Sequence, residues 1–264
     1  MLGKLLKHEF KMTYKNFLLM FALLVCTSVL AKLFILVKID TPWYSIIMKL
    51  INALYVIFVV AVSFVSVVMV IAQMNKTLLK DEGYLFHTLP VKTWQHIVVK
   101  GITGTVWYLA TLVVMCGSIA IYFIGDEDFW EIVRSAFKSL EHYYSQSGWL
   151  VLVSIIFVIN LIVQVVVNMN SFMAALSLGQ IFAKHRIAGA VLFWVVMNYA
   201  VGMVTSLAQF VLMPVLKKME DYSFSQAKTP ILIFLLGVLV FNIIVGGIYF
   251  FIANYMMSKK LNLE

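Results

Sequence analysis

Charge is scarce in this sequence: only 12% of its 264 residues are Asp, Glu, Lys or Arg, against about 25% in a soluble domain. Proline occurs 4 times and cysteine twice. Two cysteines cannot staple a disulfide scaffold, and Cys26 and Cys116 both fall in apolar runs, where they read as small buried hydrophobes rather than metal ligands. No HExxH pair, GxSxG elbow or GxxxxGK[ST] loop is present. The chain therefore lacks a zincin site, a hydrolase nucleophile and a P-loop, and it is expected to be neither an enzyme nor a nucleotide binder. None of its apolar runs contains Asp or Glu, so the usual coupling-ion carboxylate and the paired aspartates of an intramembrane protease are missing too. The histidines, His8, His87, His96, His142 and His185, fall in loops or at run edges. No metal site is expected.

What is present is apolar. Hydrophobic residues make up 63% of the chain and the mean hydropathy is +0.98, which excludes a soluble globular protein. Leu50–Asn75, Gly101–Gly125, His142–Ala183, Ile187–Leu216 and Thr229–Ser258 are free of charge over 26, 25, 42, 30 and 30 residues. A spanning helix needs about 20 mostly apolar residues. Asn16–Ala31 is shorter, but runs on past Lys32, a residue able to snorkel to the headgroups. The 42-residue run has no central Pro or Gly-rich break, so it reads as one span with an interfacial extension. The expected fold is all-α: a polytopic membrane protein with six transmembrane helices at about 17–37, 46–74, 98–124, 149–177, 187–213 and 230–257. An N-terminal amphipathic interface helix over 1–16 completes a single transmembrane domain, 1–264.

Charge asymmetry sets the orientation. With the N-terminus in the cytoplasm, the inside segments hold 12 Lys and Arg and the outside segments 6. The acids are biased the other way. Both termini are then cytoplasmic and the cell membrane is the expected location. The net charge of +8 is a topology signal and an attraction to anionic lipid, not a nucleic-acid footprint. Lys4, Lys7, Lys11 and Lys15 followed by an apolar run also resemble a signal peptide, but the charged stretch is long and periodic, which favours a retained segment.

At 3.6 residues per turn those four lysines share an arc of about 80°, opposite Leu2, Leu5, Leu6, Phe10, Met12 and Phe17. That is the pattern of a helix lying in the interface; an ordinary basic flank is the plainer alternative. Lys38–Trp43 is short enough to make the first two spans a tight hairpin. The loop Asp126–Gly148 mixes Phe129, Trp130, Ile132 and Val133 with Glu131 and Arg134, which suggests a short interfacial helix. In the cytoplasmic segment at about 76–96, charges bracket the apolar Tyr84-Leu85-Phe86, with Gly83 and Pro90 as punctuation. Apolar side chains in a wet loop suggest a docking element, unless they dip back into the headgroups.

Polar side chains inside the spans form two stripes. Asn160, Gln164 and Asn168 recur at i, i+4, i+8; Asn198, Gly202, Ser206 and Gln209 lie on a similar stripe of the next span. They can be interhelical glue, worth about 0.6–2 kcal/mol per contact. Equally, they can line an uncharged path for an amphipathic or lipid-like cargo.

Two segments carry a resemblance. Met1–Lys11 and, more specifically, Lys80-Asp81-Glu82-Gly83-Tyr84-Leu85-Phe86-His87-Thr88-Leu89-Pro90-Val91 resemble type-2 ABC-transporter permeases of Gram-positive bacteria, and the six-span layout matches along the whole chain. The resemblance implies a membrane subunit with no cofactor of its own. ATP and Mg would be bound by separate ABC ATPase subunits, and a second permease copy or paralogue would complete the complex. Lys80 to Pro90 would hold the coupling element, with Tyr84, Leu85 and Phe86 in a groove on the ATPase and Lys80, Asp81 and Glu82 setting register. The cargo would be a peptide, an antibiotic or a lipid-like amphiphile. The chain departs from the family in its short outside loop Lys217–Lys228. A different class remains: a non-transporting immunity or sensor protein that binds antimicrobial peptides at the acidic, aromatic loop Asp126–Glu141.

Overall fold

The computed structural model describes residues 2–37, 42–79, 92–182, 185–219, 226 and 228–259. It is all-α: α1 (Leu2–Leu36), α2 (Pro42–Leu79), α3 (Thr93–Tyr122), α4 (Glu127–Gln146), α5 (Trp149–Gly179), α6 (Arg186–Met219) and α7 (Lys228–Lys259), with no strand among the described residues. Every helix except α4 contains a stretch long and apolar enough to cross a membrane. In none of the six is more than 22% of that stretch buried within the chain. Apolar surface left open on every span is what a bilayer, rather than water, tolerates. The chain is a multi-pass helical membrane protein.

Three features differ from the sequence reading. First, no boundary separates an interface helix at 1–16 from the first span. α1 is one helix of 35 residues, about 50 Å long at 1.5 Å per residue. The hydrocarbon core is about 30 Å thick, so a helix of this length also has room for its lysine-bearing half outside it. No Pro or Gly at Lys15–Phe17 breaks the helix there. Second, Cys26 and Cys116 are exposed on the chain, not buried. A span apolar on all sides gives no face to read, and a thiol facing lipid is not penalised. Third, α4 is a full helix of 20 residues, not a short one. The tight hairpin expected at Lys38–Trp43 falls largely outside the described residues.

By packing, the chain divides into two units: Met1–Met74 with Ile102–Leu140, and Asn75–Gly101 with Glu141–Glu264. In the first, α1 packs on α3 through an aromatic cluster. The Phe17 ring stacks on Trp107 at 4.6 Å, with Phe10 and Phe21 tilted against the same indole. The Trp107 Nε1–H donates to Thr13 Oγ1 at 2.8 Å, and Thr13 Oγ1 itself donates to Glu9 O. α2 and α3 run antiparallel: the Tyr122 hydroxyl donates to Asn52 Oδ1 at 2.8 Å, Tyr55 pairs with Ser118 at 2.8 Å, and the Tyr55 and Tyr122 rings stack. The Tyr44 hydroxyl reaches back to the carbonyls of Phe34 and Val37, acceptors the end of α1 leaves open.

In the second unit α5 is central. Its hairpin with α6 closes at Gly179, where a Cβ would meet Arg186 O at 2.6 Å and Ala190 N at 2.7 Å, so only glycine fits. Phe172 stacks on Trp194 farther along the same antiparallel pair. α7 lies on α5 in parallel: Asn160 Nδ2 donates to Leu235 O at 3.2 Å and Asn170 Nδ2 to Gly246 O at 3.4 Å. Gly246 permits this approach, since a Cβ there would sit 3.1 Å from Val167 Cγ2.

Candidate functional site

The polar residues of α5 and α6 lie in one unit, but α5 divides its own stripe. Because i, i+4, i+8 positions drift by about 40° per step on a helix of 3.6 residues per turn, one stripe can begin in a seam and end on a free face. Asn160 is buried between α5 and α7 and donates to Ile156 O as well as Leu235 O. It serves as interhelical glue. Its Oδ1 is buried with no hydrogen-bond partner among the described residues. Gln164 and Asn168 are exposed. Gln164 is the middle residue of α5, so its amide lies at mid-span. Hydrocarbon offers an amide no hydrogen bond, and leaving one unpaired there costs several kcal/mol.

On α6, Asn198 is half-buried and returns its amide to Trp194 O of its own helix at 2.8 Å. Ser206 and Gln209 are exposed. Of the α6 residues whose side chains are described, only Gly189 and Ala190 are buried. The remainder of that helix has an open face. Gln164, Asn168, Ser206 and Gln209 are each exposed and uncharged, able to hydrogen-bond water, a partner helix or a polar cargo but not to move protons. No family model, curated protein or solved structure matches this chain.

The residues expected to form a coupling element, Lys80, Asp81, Glu82, Gly83, Tyr84, Leu85, Phe86, His87, Thr88, Leu89 and Pro90, lie outside the described residues. Among those described, no three His, Cys, Asp or Glu side chains gather to hold a metal.

Three charged or titratable residues escaped the sequence reading. Glu9, His96 and Lys100 are all buried, with 3%, 4% and 3% of their surface exposed, and none is without a partner. On sequence they stood among topogenic flanks. The faint signal was Glu9 itself, an acid placed one turn before Thr13 on a basic helix. A second feature is an apolar groove of about 560 Å³ between α5 and α7, within the size range of ligand pockets. Phe157, Val158, Phe234 and Leu235 line it, and Tyr144 and Ser154, hydroxyl to hydroxyl at 2.6 Å, close one end.

Proposed function

We propose that the chain is the membrane-spanning permease subunit of an ATP-driven exporter of the type-2 ABC kind, in the cell membrane with both termini cytoplasmic. The observation that carries this reading is the uncovered amide pair, Gln164 and Asn168, near the middle of a mostly apolar, charge-free helix. A group that hydrocarbon cannot satisfy is kept there only if a second chain or a wet path covers it. A second permease copy or paralogue opposite α5 and α6 would supply both. A path lined by amides and hydroxyls suits an amphipathic peptide, antibiotic or lipid-like cargo. The segment Lys80–Pro90, with its resemblance to the family's coupling element, would dock on ATPase subunits that bind ATP and Mg. Their closure on ATP would push that segment and re-orient the spans, a two-state element biased by a ligand on another chain.

The test is a mild-detergent pull-down of the tagged full-length protein from its native membrane, with partners identified by mass. A stoichiometric P-loop ATPase is expected. A partner list without one, from intact monodisperse protein, overturns the exporter reading. That result would favour an immunity or sensor protein for antimicrobial peptides, which draws on one observation. An open hollow of about 550 Å³ runs along the polar side of α4, where the acids Asp126, Glu127 and Glu131 outnumber the bases Arg134 and Lys138, a net-negative lining that attracts cationic peptides.

A further inference from the structure

The helix α4 is neither a span nor a covered surface element. Projected at 3.6 residues per turn, its 20 residues separate without exception. Phe129, Trp130, Ile132, Val133, Ala136, Phe137, Leu140, Tyr143 and Tyr144 occupy an arc of about 160°, and every Asp, Glu, Lys, Arg, His, Ser and Gln lies on the rest.

Three residues of that apolar arc have partners. Phe129 stacks on Phe123 at 4.3 Å, Trp130 Nε1–H donates to Phe123 O at 3.0 Å, and Tyr144 pairs with Ser154. Toward both edges of the arc other side chains lack comparable cover: Ile132 is 68% exposed, Tyr143 51% and Phe137 67%. Two features decide what covers it. The first is tether length. Four residues separate α4 from the end of α3 and two separate it from the start of α5. Even fully extended, four residues reach only about 14 Å, and here Phe123–Asp126 is coiled into a turn ending at Gly125, whose φ is +80°. Both ends of α4 are therefore held where a candidate span leaves the bilayer. The second is continuity. Tyr144, on the apolar arc, also lines the apolar groove between α5 and α7, so the last turn of α4 adjoins an apolar surface of two candidate spans.

We propose that α4 lies flat in the headgroup layer on the side of the membrane opposite the N-terminus, with Ile132, Phe137, Leu140 and Tyr143 in the acyl boundary and Glu127, Glu131, Arg134 and Lys138 toward water. Three candidate spans precede it, which fixes the side. The occupant of its apolar face is membrane lipid, not a peptide and not a second copy of the chain. This placement holds whether the chain is an exporter subunit or a sensor, because it rests on α4 and its tethers alone.

The test uses the full-length protein in phosphatidylcholine vesicles, with Cys26 and Cys116 replaced by Ser and single cysteines at Ile132, Phe137, Glu131 or Lys138 carrying nitroxide labels. Collision with oxygen, which concentrates in lipid, is compared with collision with a water-soluble nickel chelate. Labels at 132 and 137 should favour oxygen over nickel several-fold more than labels at 131 and 138. Equal nickel access at all four sites would place the helix in water and overturn the proposal. Labels at 132 and 137 that are immobilised and shielded from both reagents would mean a protein covers the face, and would overturn it equally. If the serine background does not fold, the same labels in the wild-type background, with the signal of unmutated labelled protein subtracted, give the comparison.

Discussion

Polar side chains in the spans are satisfied largely by backbone. Thr27, Ser28, Ser171 and Ser177 return their hydroxyls to carbonyls of their own helix three residues back, as expected where no water is at hand. Thr13 differs, because it also accepts from Trp107 on another helix. Thr13→Val keeps the shape and removes the acceptor, leaving the indole N–H without that partner. A loss of about 1–3 kcal/mol is expected, visible as a lower thermal midpoint in detergent, whereas Thr13→Ser should stay near wild type. A midpoint unchanged by Thr13→Val would show that the contact contributes nothing. The exposed arc of Lys4, Lys7, Lys11 and Lys15 was legible in sequence because lysine avoids burial whatever the fold. The Thr13–Trp107 pair was not, since its members stand 94 residues apart and nothing local joins them.

At the level of elements, close approach depends on two glycines. Gly179→Ala would press a methyl into the backbone of Arg186 and Ala190, which cannot yield as a flexible side chain would. Gly246→Leu would drive side-chain atoms into Val167 and part α5 from α7. Each should cost about 1–3 kcal/mol or more by overpacking, with Gly179→Ala the worse. Equal tolerance of the two in a detergent melting series would contradict that order. The caps follow the same logic. Asp126 Oδ1 accepts from Phe129 N at 3.1 Å at the start of α4, and Asp126→Ala should lower that helix's stability by about 1 kcal/mol, read as faster amide exchange over its first turn. The six spans were legible because length and hydropathy alone specify them. That the helix beginning at Leu2 runs unbroken past residue 16 was not, because the change from basic to apolar there is a change of surroundings, not of backbone. The division of the α5 stripe was equally hidden. Which of Asn160, Gln164 and Asn168 meets α7 depends on a crossing that periodicity does not encode.

For the whole molecule, the reading as an exporter subunit makes two predictions. Leu at both Gln164 and Asn168 should leave folding intact while export by the reconstituted complex falls; transport at the wild-type rate would return both residues to the role of glue. Replacing Tyr84, Leu85 and Phe86 together by Ala should spare insertion but abolish capture of the ATPase, and a complex that survives would show that coupling lies elsewhere. The parallel seam of α5 and α7 has a consequence for biogenesis. Asn160 and its acceptor Leu235 stand 75 residues apart, with α6 between them. While the chain is being made, α5 must wait in the bilayer, its Asn160 and Asn170 side chains lacking their α7 acceptors, until α6 has turned and α7 has emerged from the ribosome. Assembly of this unit therefore finishes last, and a nascent chain halted before α7 would offer those amides to whatever insertase or quality-control protease surveys the membrane.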